Sequence, residues 1–131
     1  FPFRKEASDL DVELPDGCTD EPYLLALRGA LATSFERMHE HPPGLAFYLA
    51  GADPHEDDRL GRLKLSSAGL AERDRLVFAA LASHGTPVAV SMAGGYGRDI
   101  RTTVSLQRKT IELAAAAWQA WRRRPAVHLA G

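Results

Sequence analysis

Two apolar runs with a helical stripe between them set the pattern of the chain. Leu45–Ala50 is apolar without alternation and leads into Gly51, Ala52 and Asp53. A continuous run of this kind is expected of a strand buried on both faces. Val88–Met92, introduced by Pro87, is a second short run and ends in Ala93-Gly94-Gly95-Tyr96-Gly97. Between the two, Leu70, Val77 and Leu81 recur at helical spacing, with Leu76 and Phe78 widening the face. Ser66 or Ser67 suits the start of that helix and Gly85 its end. Strand, helix and strand over 45–96 predict a βαβ unit with parallel strands at about 45–50 and 87–92. The C-terminal ends of such strands deliver polar residues to one edge, here Asp53 and Tyr96.

The flanks read as helices. Leu24, Leu27, Leu31, Phe35 and Met38 form one apolar stripe, giving a helix over 20–41 capped by Thr19 or Asp20 and stopped by Pro42 and Pro43. Val104, Ile111, Ala115 and Trp118 mark another over 102–124, with Thr102 or Thr103 as cap and Arg122–Arg124 set against the helix dipole. Glu72, Arg73, Asp74 and Arg75 read as charges around the first turns of the middle helix. Residues 1–19 have no steady period and read as a long loop, with a short extended piece at Asp11–Leu14. Residues 126–131 suit a short strand or a frayed tail. The fold class is α/β. Two strands cannot receive all the apolar surface these helices offer, so further strands are expected in a fuller protein or a partner chain. An independent three-helix domain is the alternative. Exposed apolar edges predict self-association.

Composition narrows the classes. With 131 residues the chain is at most one domain, and 45% hydrophobic residues suffice for a core. Sixteen Lys and Arg against 17 Asp and Glu leave a charge of -1. That balance argues against a nucleic-acid partner, since Arg122–Arg124 has neither a distributed basic face nor an aromatic platform beside it. One cysteine excludes an internal disulfide and a cysteine-rich metal site. No apolar run approaches the length that spans a bilayer and no signal peptide is visible, so a cytoplasmic or otherwise intracellular location is the default expectation. The chain begins FPFRKE, without methionine.

Asp53 reads either as a loop-capping acid or as a metal-ligand carboxylate in the crevice outside the strands. Tyr96, on a glycine turn, reads either as a packing tyrosine or as a phenol that stabilises a developing oxyanion. His55, two residues beyond Asp53, is a further candidate metal ligand. His39, His41 and His84 suit helix ends.

GAD (51–53), DRLG (58–61), AGLAERDRLVF (68–78) and AGGYG (93–97) together resemble the C-terminal portion of the histone deacetylase family. DRLGRLKLSSAGLAERD is closest to the class IV-like branch, which stands beside bacterial acetylpolyamine-amidohydrolase-like members. SDLDVELPDG (8–17) resembles the loop ahead of the first helix. The resemblance implies the C-terminal part of an arginase-like parallel-sheet α/β fold in a zinc-dependent amide hydrolase acting on acetylated lysine or acetylated amines. It implies Asp53 as a zinc ligand, Tyr96 as the hydrogen-bond donor to the acetyl carbonyl, and Gly94 and Gly95 as the substrate-pocket wall.

The sequence departs from the family in its ligands. The family's other zinc ligands come from an Asp-x-His motif, and the one such spacing here, Asp53-Pro54-His55, lies in the wrong context. There is no tandem histidine pair. Asp57 stands where a glycine commonly precedes DRLG, and Cys18-Thr19 stands where relatives have Thr-Gly. The expectation is a C-terminal portion of a deacetylase, its missing N-terminal part lying before Phe1. Zinc belongs to the complete protein, and this chain alone is expected to hold none tightly and to be inactive. The alternative is a non-catalytic α/β assembly or binding module.

Overall fold

A computed structural model describes residues 6–123. Five elements follow in order: α1 (Asp20–Arg37), β1 (Ala46–Ala50), α2 (Ser67–Ser83), β2 (Val88–Met92) and α3 (Ile100–Arg122). β1 and β2 pair in parallel, in register from Ala46 opposite Val88 to Ala50 opposite Met92. The α/β class and the βαβ unit are therefore present, with α2 as the crossover. Residues 6–19 carry neither helix nor strand, so Asp11–Leu14 joins no sheet among the described residues. Residues 1–5 and 124–131, including Arg124 and the sequence 126–131, lie outside the described residues.

The core is built around α2, which buries Gly69, Leu70, Ala71, Arg73, Asp74, Val77, Phe78 and Leu81. Its start is fixed by Ser66, whose hydroxyl accepts the Gly69 N–H at 3.0 Å. Ser66 is in turn gripped by Asp20, which accepts its N–H at 2.8 Å and its hydroxyl at 2.6 Å. Asp20 thus spends its carboxylate on α2, while Thr19, the cap of its own helix, makes no side-chain cap bond. A Cβ on Gly69 would overlap that carboxylate, so only glycine allows this approach. At the other end Gly85 N–H bonds Ala82 O, Thr86 N–H bonds Leu81 O, and Gly85 has φ +70. This is the double closure of a Schellman motif.

α1 packs on α2 through both of its ends. Asp20 holds one, and at the other the Phe35 and His84 rings stack with centroids 3.7 Å apart. None of its residues is fully buried, although the Leu24–Met38 stripe is half covered. The helix stops at Arg37, short of the expected 41. His39 N–H and His41 N–H turn back to Glu36 O and Met38 O, three residues away, tightening the chain before the prolines.

Three further sequence expectations are corrected. β1 is buried on one face only: Phe47 is 75% exposed and Leu49 68%. α2 covers one side of the sheet, and among the described residues no second layer covers the other. On α3, Val104, Ile111, Ala115 and Trp118 remain exposed, and the buried positions are Thr103 and Thr110. The reason is chemical. Asp74 of α2 is 1% exposed and needs donors, and Thr110 supplies one with Oγ1 2.6 Å from Asp74 Oδ2. The α3 cap is also one turn earlier than expected. Asp99 caps it by accepting the Arg101 N–H at 2.9 Å, and Thr103 is a buried helical residue.

Candidate functional site

The strand ends converge at one edge. Ala50, Gly51 and Ala52 are buried, and Ala52 N–H donates to Gly94 O at 2.7 Å, continuing the pairing one step beyond the sheet. Asp53 then turns out to solvent. Its carboxylate lies against both glycines: a Cβ on Gly51 would overlap Asp53 Oδ1, and a Cβ on Gly94 would stand 3.2 Å from it. Gly95 has φ +151, and a Cβ there would meet Ala52 Cβ at 3.0 Å. Asp53, Gly94 and Gly95 are thus brought side by side.

Tyr96 joins this edge through its backbone, while the residue as a whole is 58% exposed. The anchor is Asp58. Its Oδ2 accepts the Tyr96 N–H at 2.5 Å, and its Oδ1 accepts the N–H groups of Leu60 and Gly61 at 2.8 and 2.7 Å. Burial pushes the Asp58 carboxyl up, but the three amides, from Gly61, Tyr96 and Leu60, outweigh burial and hold it below the usual aspartate range. Arg59 completes the clasp, giving its backbone N–H and its Nε to Tyr96 O at 3.1 and 3.2 Å. Gly61 presses on the Asp53 carbonyl so closely that a Cβ would overlap its oxygen. The acidic loop 53–61 therefore ties the two strand ends together.

His55 is buried and committed elsewhere. Its Nδ1 accepts the Asp57 N–H at 3.2 Å, which leaves Nε2 to donate to Ser67 Oγ at 3.1 Å. Among the described residues no group of three or more His, Cys, Asp and Glu side chains is placed to share a metal ion. Catalytic zinc sites use three protein ligands. The described residues do not by themselves fit a zinc ion.

Behind the edge lies a buried polar network that the sequence reading missed. Arg73 Nη1 donates to Gly51 O at 2.7 Å, while Nε and Nη2 reach Asp74 Oδ1 at 2.9 and 2.8 Å. Asp74 Oδ1 also accepts the Tyr48 hydroxyl at 2.6 Å. Burial raises the pKa of Tyr48 far above its ordinary value; the Arg73 charge opposes this, and the Asp74 bond and charge add to it. Tyr23 of α1 is raised for the same first reason, with Arg73 lowering it and the charges of Asp53 and Asp74 raising it. A signal existed: the Leu70, Val77, Leu81 stripe has its missing member at 74, where the sequence places a carboxylate.

A parallel βαβ unit with its helices packed against the sheet is an α/β domain, and domains of this kind bind ligands outside the carboxyl ends of their strands. The particular family follows from comparison with known proteins. The model of the histone deacetylase domain matches residues 4–110. An uncharacterized protein of Picosynechococcus is 41% identical over 104 residues, covering 79% of this chain and 34% of that protein. Histone deacetylase 2 of Arabidopsis thaliana is 34% identical over 99 residues, covering 73% of this chain and 25% of its own length. The chain belongs to the histone deacetylase family, and its sheet and helices are part of that family's arginase-like α/β fold. It spans about a third and a quarter of the length of these two relatives. No helix among the described residues is long and apolar enough to cross a membrane.

Proposed function

We propose that these residues form the C-terminal portion of a zinc-dependent deacetylase-like amidohydrolase that acts inside the cell on acetylated lysine or acetylated amines. In this reading Asp53 is one ligand of a zinc ion whose other ligands lie outside the described residues. Gly94 and Gly95 form the wall beside the acyl group. The Tyr96 hydroxyl donates a hydrogen bond to the acetyl carbonyl oxygen and holds it as negative charge develops there. The histidine that moves the proton also lies elsewhere, because His55 has both ring nitrogens engaged. Alone, the chain binds zinc weakly and does not turn over.

The observation that carries this reading is the apposition of the Asp53 carboxylate and Gly94 at the edge to which Asp58 fastens Tyr96. Zinc titration and acetyl-lysine hydrolysis test it. The 131-residue chain is expected to show neither tight one-site binding nor turnover, and robust turnover would overturn the incomplete site. In the longer protein, Asp53→Ala is expected to abolish zinc-dependent hydrolysis and Tyr96→Phe to lower kcat at least a hundredfold. Wild-type rates in both would overturn the assignment.

A second reading, a non-catalytic assembly module, is favoured by the open apolar surface at Phe47, Leu49 and Trp118. It predicts a concentration-dependent oligomer in light scattering, and a monomer at all concentrations would count against it.

A further inference from the structure

Arg73 is a buried cation on the crossover helix, and one of its three guanidinium nitrogens reaches beyond its own helix to the backbone at the end of β1. Gly51 O, the acceptor of Nη1, lies two residues before Asp53. Asp74 takes the other two donors, and Asp74 is itself held by Tyr48 from β1 and Thr110 from α3. The guanidinium therefore sits in a frame fixed by three elements. Its planar fork can hold a carboxylate on one side and a carbonyl on the other, which an ammonium cannot do in the same geometry. The chain leaving Gly51 has little freedom: its Cα has no room for a side chain beside the Asp53 carboxylate, and Ala52 N–H is bonded to Gly94 O.

We propose that Arg73 is the positioning residue of the Asp53 turn, fixing the Gly51 carbonyl so that the Asp53 carboxylate is held against Gly94. This rests on the deacetylase reading only for what the carboxylate is used for; the positioning itself concerns backbone geometry. A generic structural ion pair would stabilise the whole molecule without singling out this turn. Arg73 singles it out because, beside its contacts with the Tyr23 and Tyr48 side chains, Gly51 O is the backbone carbonyl to which it donates.

Amide hydrogen exchange in the intact protein separates the two. Arg73→Lys is expected to speed exchange at least tenfold at Ala52 and His55, whose N–H groups bond Gly94 O and Ala52 O. Leu70 and Thr86, bonded to Ser66 O and Leu81 O at the two ends of α2, are expected to change less than twofold. Thr110→Val removes a donor to Asp74 and leaves the Gly51 contact, so it is expected to spare Ala52 and His55. If Arg73→Lys does not fold, Arg73→Met with Asp74→Leu decides. Replacing both members of a buried pair by apolar residues commonly preserves stability, and the turn is still expected to exchange at least tenfold faster. Unchanged exchange at Ala52 and His55, or an equal rise at all four amides, overturns the proposal. So does a rise in Thr110→Val as large as in Arg73→Lys. Deacetylation by an Asp53→Asn variant of the longer protein bears on the deacetylase reading alone: full activity there would overturn that reading and leave the exchange result standing.

Discussion

At the C-terminal edge of the sheet, the buried polar groups have specific partners: Asp58 serves three amides, Arg73 serves Gly51 and Asp74, and both His55 nitrogens have partners. Toward the C-terminal end of α2 lies a cleft of about 560 Å³ between α2, β2 and α3. It is lined by Phe78, Val88, Val90, Ile111 and Trp118 with little polar chemistry. The first region fixes geometry, because hydrogen bonds at these distances are directional and buried polar groups left unpaired are costly. The second supplies only non-directional apolar contact, and much of it is open: Trp118 remains 58% exposed. The turns that carry Asp53 and Tyr96 are built the first way. Mutations should therefore act sharply and locally at the edge and weakly at the exposed residues of the apolar side.

The largest effect is expected from breaking the buried ion pair on one side. Asp74→Leu leaves Arg73 buried without its carboxylate and removes the acceptor of Tyr48 and Thr110. A loss of about 3–5 kcal/mol is expected, read as a lowered urea midpoint. A midpoint within error of wild type would mean that the network adds no net stability, and the contrast between the two regions would fail there.

Next come the glycines of the edge. Gly61→Ala drives a methyl into the backbone oxygen of Asp53, which cannot rotate away. About 1–3 kcal/mol is expected from such overpacking, together with displacement of the Asp53 turn visible as NMR shift changes at residues 51–55. Gly94→Ala meets only the rotatable carboxylate, at 3.2 Å, and should cost less. Equal costs for the two would show that the Asp53 carboxylate is as rigid as its backbone.

The βαβ unit was legible in the sequence because its two apolar runs and intervening stripe obey simple periods. That the GAD and GGY turns lie at one edge was legible because strand ends in such a unit share it. What was not legible depended on partners far apart in the chain. Nothing in the sequence near Asp58 says that Tyr96, 38 residues on, will donate to it. Arg73 and Asp74 looked like surface charges because charge usually marks the wet face, and here two hydroxyls and a carbonyl from other elements satisfy them. The α3 stripe misled for the converse reason. Its apolar residues suggested the buried face, but the buried Asp74 drew the hydroxyl face inward, with Thr110 as its donor.

Asp58 gives the acid test of the edge. Its carboxyl is held below the ordinary range in the folded chain, so it contributes stability that is present above the unfolded aspartate value of about 3.9. That contribution is lost as pH falls through the lower folded value. Asp58→Asn keeps one oxygen acceptor for what were three amides and should cost about 1.5 kcal/mol at neutral pH. It should also flatten the acid limb of the stability curve without abolishing it, because Asp99 is held down as well by its bonds from Arg101. An acid limb as steep as wild type would place the titrating group elsewhere.

The smallest effect is expected on the apolar side, where the comparison can be sharpened most. Phe47→Lys and Trp118→Lys alter residues 75% and 58% exposed. Each should change monomer stability by about 0.5 kcal/mol or less, as substitutions away from buried features do. If these faces meet a second copy, the same changes should abolish concentration-dependent association in light scattering while leaving the urea midpoint at low concentration unmoved. A substantial midpoint shift at low concentration would mean that the exposed rings stabilise the single chain. The apolar side would then resemble the polar edge in holding the monomer together, and the division between a geometric edge and an open face would have to be redrawn.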